Sequence, residues 1–204
     1  FCQTQKGYRE IGFREIQDLY ASMYYFVSMG EGEFVKQLLK EWCSMIFDLG
    51  YAYHNFFWVG KEPGKWSDDA LWFVQAAYRY ISLTGDVKFL DEEVEVAGSN
   101  PVSKRPVYET IKALIKYSAQ ISVGKHGMPL LDNADWNDCL KLDNDFIDGI
   151  TKEKLYKEQI AKSGKQDEPF ESDYSESVMN AFLLKVAIDE MIQLASEKGD
   201  AEYK

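Results

Sequence analysis

From Phe13 to Gly50 the chain reads FREIQDLYASMYYFVSMGEGEFVKQLLKEWCSMIFDLG, and this stretch decides the fold class. The apolar positions Phe13, Ile16, Leu19, Tyr20, Met23, Tyr24 and Val27 recur three and four residues apart, the period of a helix with one buried face. Gly30 follows where a helix C-cap is expected. The pattern then restarts with Phe34, Val35, Leu38, Leu39, Trp42, Met45, Ile46 and Leu49 before Gly50 closes it. Two such helices joined by a short turn form an antiparallel hairpin.

The same period continues outward. A third helix is predicted after Trp66, with Ser67-Asp68-Asp69 as N-cap and acidic first turn, running through Leu71, Trp72, Val74, Ala77, Tyr78 and Ile81 to Gly85. Asp86 is placed to cap a short helix over Val87 to Glu93. Val107 to Val123 is helical up to Gly124, Lys152 to Glu168 reads as an exposed helix entering a surface loop, and Ser177 to about Ser196 is the last strong helix. No alternating strand pattern and no Asn-Gly hairpin signal is present, so the predicted class is all-α.

The 204 residues carry 23 Lys and Arg against 34 Asp and Glu, a formal net charge of −11, with 46% apolar residues. That supports one domain with a hydrophobic core and disfavours nucleic acid and anionic membranes, both of which need cationic surface. No apolar run is long enough to span a bilayer, and the opening residues lack the pattern of a signal peptide. The three cysteines, Cys2, Cys43 and Cys139, are far apart, and the histidines are only His54 and His126. Neither a disulfide framework nor a zinc site is indicated, and the expected compartment is the cytoplasm.

Two long connections, roughly Tyr51 to Trp66 and Gly124 to about Ile150, are rich in aromatics, Gly, Asp and Asn. Loops of that length with that aromatic content are expected to build a site. The densest cluster is Asp132-Asn133-Ala134-Asp135-Trp136-Asn137-Asp138, three carboxylates and two amides around one indole. Sugars are bound by such groups, hydroxyls on carboxylates and amides and the apolar ring face on an indole. Asp135 or Asp138 could act as a general acid at a glycosidic bond. On composition alone a solvated loop in which Asp and Asn satisfy turn amides is the readier account, and a calcium-like oxygen cluster lacks the EF-hand spacing. Arg14 and Asp18 share one helix face, either as a surface ion pair or aimed into a pocket mouth. The acidic stretch at Ser67 to Asp69 is explained by helix capping alone.

Taken in order, Gly12-Phe13-Arg14-Glu15-Ile16-Gln17-Asp18, Trp66-Ser67-Asp68-Asp69-Ala70-Leu71-Trp72, Thr84-Gly85-Asp86, His126-Gly127-Met128-Pro129-Leu130, Asp135-Trp136-Asn137-Asp138 and Glu176-Ser177-Val178 resemble the catalytic domain of glycoside hydrolase family 94. These are the inverting β-glucoside phosphorylases. The wording around Asn55 to Trp58 and Ala134 to Cys139 is most similar to the 1,2-β-oligoglucan phosphorylase branch. The resemblance implies an (α/α)₆ barrel built from helical hairpins. It also implies phosphorolysis of a β-linked gluco-oligosaccharide, probed first as β-1,2-glucan, to α-glucose 1-phosphate and a shortened glucan.

Inorganic phosphate is then a co-substrate, with no cofactor and no metal. Because phosphate is itself an anionic nucleophile, one carboxylic acid suffices, where a hydrolase needs a second carboxylate to activate water. By the family's motif the acid is Asp138, Trp136 walls the sugar site, Asp135 lies beside it, and Arg14 and Asp18 hold the non-reducing glucose. The Arg-to-Gln-Asp run is one residue shorter here than in cellobiose phosphorylases, which makes Asp18 the firmer of the two. An inverting hydrolase using Glu176 as base, or a non-catalytic carbohydrate-binding segment, are the alternatives. About six helices are legible where the barrel has twelve. The chain, residues 1–204, is therefore expected to be a partial catalytic domain of a longer, homodimeric protein, inactive by itself.

Overall fold

The computed structural model describes residues 15–57, 60–62, 66–132, 154, 157–158, 161 and 175–203. Among them are five α-helices: α1 (Ile16–Ser28), α2 (Gly32–Cys43), α3 (Asp69–Thr84), α4 (Val107–Lys116) and α5 (Val178–Lys198). Two short antiparallel pairs accompany them. β1 (Asn55–Phe57) lies on β2 (Gly60–Glu62) with Asn55 opposite Glu62, and β3 (Glu93–Glu95) lies on β4 (Lys104–Pro106) with Glu93 opposite Pro106. Strands of three residues are too short to show a two-residue period, which is why they are silent in the sequence. The fold is mostly α, as the helical periodicity requires.

Side-chain contacts fix the helix directions. Tyr20 of α1 meets Trp72 of α3 at 5.6 Å, and Tyr24 lies under the Arg79 guanidinium at 5.3 Å, so α1 and α3 run the same way. Asn180 of α5 donates to Ser67 just before α3, and Tyr78 further along α3 reaches Gln193 of α5, so these two are parallel as well. α4 is antiparallel to them, since Tyr108 at its start bonds Asp200 beyond the end of α5. α2 returns from the end of α3, with Gly32 close to Thr84. The N-termini of α1, α3 and α5 therefore open at one end of the layer. Among the described residues a large apolar core, including Met23, Leu39, Phe73, Phe89, Ile111 and Leu114, fills the space between the helices, and Tyr117 and Ile121 form a smaller cluster with Leu49 and Tyr51.

Several boundaries depart from the periodic reading. α2 stops at Cys43, six residues before Leu49. Met45 and Ile46 stay buried, but the backbone leaves the helix to pair Ile46 with Ala52 and to bond the Phe47 amide to the Tyr51 carbonyl at 2.8 Å. α4 ends at Lys116 and continues as a wider π turn over Tyr117–Ile121. Val87–Asp91 is a 3₁₀ turn, and Asp86 does not cap it. The Asp86 carboxylate instead accepts from Lys36 Nζ at 2.9 Å and Tyr80 Oη at 3.0 Å, and the Lys36 bond holds its pKa below the usual range. α5 behaves as predicted, with Ser177 Oγ accepting from the Asn180 amide at 3.0 Å. Of the predicted Lys152 to Glu168 helix, residues 154, 157, 158 and 161 are helical and exposed. Cys43 is buried, and burial pushes its thiol up to about 12, which keeps it in the unreactive thiol form. No helix among the described residues is long and apolar enough to cross a membrane, and no group of three or more metal-ligating side chains occurs among them.

Glu190 is an exception inside the α5 interface. It is buried, and desolvation lifts its carboxyl to about 7, Arg79 opposing the rise and Asp189 adding to it. The unfolded chain ionises this group near 4.5, so its contribution to stability is lost as pH rises from there through about 7. Glu190→Gln keeps the shape and removes the charge. It is expected to be more stable than the parent by about 1–2 kcal/mol at pH 8 and indistinguishable from it near pH 4, as urea unfolding at the two pH values would read.

Candidate active site

Three of the sequence motifs meet at the end where α1, α3 and α5 begin. Trp66 forms an antiparallel bridge with Asp132, and Leu130 forms one with Glu176. The Ser67 hydroxyl donates to the Leu131 carbonyl at 2.8 Å and accepts from Asn180 Nδ2 at 2.5 Å, tying the start of α3, the 130–132 segment and the start of α5 together. Asn180 is fully buried at this junction. Leu131 in turn takes the Ser175 carbonyl at 2.8 Å, and the Ser177 amide donates to the Pro129 carbonyl at 2.8 Å.

Asp132 is the root of the acidic loop. It is buried, its backbone sits at φ 54°, and its carboxylate accepts from Tyr117 Oη at 3.2 Å and Ser122 Oγ at 3.4 Å. Asp is one of the few residues that tolerates this left-handed conformation. In the sequence Asp132 is one carboxylate of the acidic cluster with no role of its own, because its partners Tyr117 and Ser122 lie 15 and 10 residues earlier.

The capping account of Ser67 to Asp69 is corrected by the structure. α3 starts at Asp69 and no side chain caps it. Ser67 is used as described, the Asp68 carboxylate accepts from Trp72 Nε1 at 2.9 Å, and Asp69 pairs with His54 Nδ1 at 3.0 Å. The His54 ring is stacked on Trp66 with centroids 4.0 Å apart and planes 15° from parallel. His54 was not singled out as a site residue in the sequence, because its partners come from 12 and 15 residues later and across a turn.

Glu176, the candidate base of a hydrolase, is occupied. Its carboxylate accepts from the His126 amide at 2.9 Å, His126 Nδ1 at 2.6 Å and the Met128 amide at 3.3 Å. Burial raises its pKa, but these donors outweigh burial and leave it below the usual carboxylate range. Gly124 packs so closely on it that a Cβ there would come within 2.3–2.5 Å of the Glu176 side chain. A carboxylate held by three donors and depressed in basicity is poorly suited to take a proton from water.

Of the predicted site residues, Asp18 lies on the first turn of α1, at the same end as the junction. It is partly buried, desolvation alone raises its pKa, and its carboxylate meets no donor among the described residues. Arg14, Asp135, Trp136 and Asp138 lie outside the described residues.

The arrangement is that of an α-helical domain with carboxylates and aromatics gathered where parallel helices begin. Residues 3–204 match the Glycosyl hydrolase 94 superfamily catalytic domain, and the chain belongs to that family. Over 76 residues it is 40% identical to an N,N'-diacetylchitobiose phosphorylase of Vibrio proteolyticus, a stretch that takes in 37% of this chain and 9% of that protein. The corresponding enzyme of Vibrio furnissii is 38% identical over 76 residues, again 37% of this chain and 9% of its relative. A solabiose phosphorylase of Paenibacillus borealis is 27% identical over 141 residues, 67% of this chain and 16% of that protein. The aligned stretches thus span less than a fifth of these relatives' length.

Proposed function

We propose that this chain is the acid-bearing part of a glycoside phosphorylase that cleaves β-linked gluco-oligosaccharides with inorganic phosphate. The products are α-glucose 1-phosphate and a shortened saccharide. The observation that carries the reading is the convergence of residues 66–69, 130–132 and 175–180 at the end of the layer that also bears Asp18. Asp138 donates the proton to the leaving oxygen, Asp18 and Arg14 hold hydroxyls of the non-reducing glucose, and Trp136 and Asp135 wall the site. Phosphate attacks the anomeric carbon from the opposite face, the glycosidic bond breaks, and the Asp138 proton goes to the departing sugar hydroxyl. The engagement of Glu176 favours this over hydrolysis, which needs a free second carboxylate.

The chain works as a segment of a longer cytoplasmic protein, whose homodimeric assembly and phosphate-holding residues belong to that whole. Val178, Phe182 and Val186 support this. They form one stripe of α5 at four-residue spacing and are 58%, 70% and 42% exposed, as expected of a face that packs on further structure. The isolated chain is accordingly expected to associate in size-exclusion chromatography.

β-1,2-linked glucan is the proposed substrate. The test is a panel of β-1,2, β-1,3 and β-1,4 gluco-oligosaccharides, with N,N'-diacetylchitobiose and solabiose, given to the complete protein with phosphate. Glucose 1-phosphate from the β-1,2 series supports the reading in full, and its release from another member keeps the reaction and changes the substrate. Release of free sugar without the phosphate ester overturns it in favour of hydrolysis, and binding without turnover in favour of a non-catalytic module.

A further inference from the structure

We propose that His54 is a substrate-contacting residue of this site, oriented by Asp69 and Trp66 so that its Nε2 accepts a hydrogen bond from a saccharide hydroxyl. The inference rests on the phosphorylase reading for the identity of the saccharide. It does not depend on the fate of the bond that is cleaved.

Three observations carry it. The first is position: His54 lies flat on Trp66, and Trp66 is the residue bridged to Asp132, the root of the acidic loop. The second is orientation. Asp69, buried as the first residue of α3, takes Nδ1 at 3.0 Å, while Trp66 fixes the ring plane, so neither rotation about Cβ–Cγ nor a ring flip keeps both contacts. The third is what is left over. A carboxylate only accepts, so in the neutral imidazole the proton sits on Nδ1 and Nε2 presents a lone pair, which meets no donor among the described residues. A ring held this firmly, 15% exposed and ending in a free acceptor, is organised to receive a donor from outside. A core histidine would have both nitrogens satisfied. At a site for polyols that donor is a hydroxyl.

Two variants of the complete protein separate contact from scaffolding. His54→Phe keeps a flat ring for Trp66 and removes both nitrogens. Asp69→Asn keeps the shape of the side chain and removes the charge that fixes the proton on Nδ1, so Nε2 is no longer held as an acceptor. Both are expected to raise KM for the gluco-oligosaccharide about tenfold, the effect of one lost hydrogen bond in a closed site. KM for phosphate and the melting temperature should stay close to those of the parent. Calorimetric titration with the same saccharide in the absence of phosphate should show the same loss of affinity.

Unchanged saccharide KM and affinity in folded His54→Phe protein overturn the proposal, as does an Asp69→Asn variant that binds saccharide like the parent. A fall in kcat and thermal stability with saccharide affinity intact assigns the pair to scaffolding and equally overturns it. Should the parent release free glucose in place of glucose 1-phosphate, the phosphorylase reading fails while the affinity comparison still decides the role of His54.

Discussion

Asp138→Asn is expected to lower kcat for phosphorolysis by about 10³-fold while leaving saccharide affinity within a few-fold of the parent. The departing sugar oxygen is a poor leaving group as an alkoxide, and phosphate supplies the nucleophile but no proton to that oxygen. Asparagine fills the same volume and hydrogen-bonds the same oxygen, but has no proton to transfer. The control is a substrate whose leaving group needs none: with β-glucosyl fluoride and phosphate, the variant should form α-glucose 1-phosphate at a rate near the parent's. Equal kcat on the natural glycoside would remove Asp138 from the acid role. Equal losses on glycoside and fluoride would point to damage to the site as a whole. Asp138 lies six residues beyond Asp132 in the sequence, and Asp132 is itself buried with a left-handed backbone.

Gly50→Ala is expected to be the most damaging small substitution in the described fold, destabilising by about 3–5 kcal/mol in urea or thermal unfolding. Gly50 sits at φ 109°, where a side chain is strained, and the strain is the smaller part. A Cβ there would lie 2.2 Å from the Ala113 carbonyl oxygen, a backbone atom of α4, and 3.0 Å from Tyr117 Cβ. Neither neighbour can swing away, so α4 must retreat from the 47–52 turn. The consequence extends to the site, because Tyr117 also holds Asp132. Gly85→Ala is the matched comparison: φ there is 73°, with nothing within 4 Å of the position, so only the backbone term applies, about 1 kcal/mol. Similar losses at both positions would show that the close approach at Gly50 relaxes.

The two glycines look alike in sequence, each closing an apolar periodic run, and were read alike as helix ends. For Gly85 that reading holds, with its amide on the Ile81 carbonyl at 2.8 Å. For Gly50 it does not, since α2 ends seven residues earlier and the glycine is demanded by a helix from elsewhere in the chain. Ser67, Asp68 and Asp69 teach the same lesson. Their composition is that of an N-cap, and their side chains are spent on Leu131, Trp72 and His54.

What the sequence by itself determined is what depends on neighbours along the chain. The helical period set the mostly α class, and Ser177 and Gly85 marked helix ends through contacts within four residues. The ordered motifs identified the family that residues 3–204 match. What only the tertiary structure decided is what depends on residues brought together from afar. The three-residue strand pairs, the occupation of Glu176 by the 126–128 turn and the setting of His54 between Asp69 and Trp66 are of this kind. A polar side chain satisfies its hydrogen-bonding groups with whatever donor or acceptor the packed core presents, and periodicity carries no information about that partner.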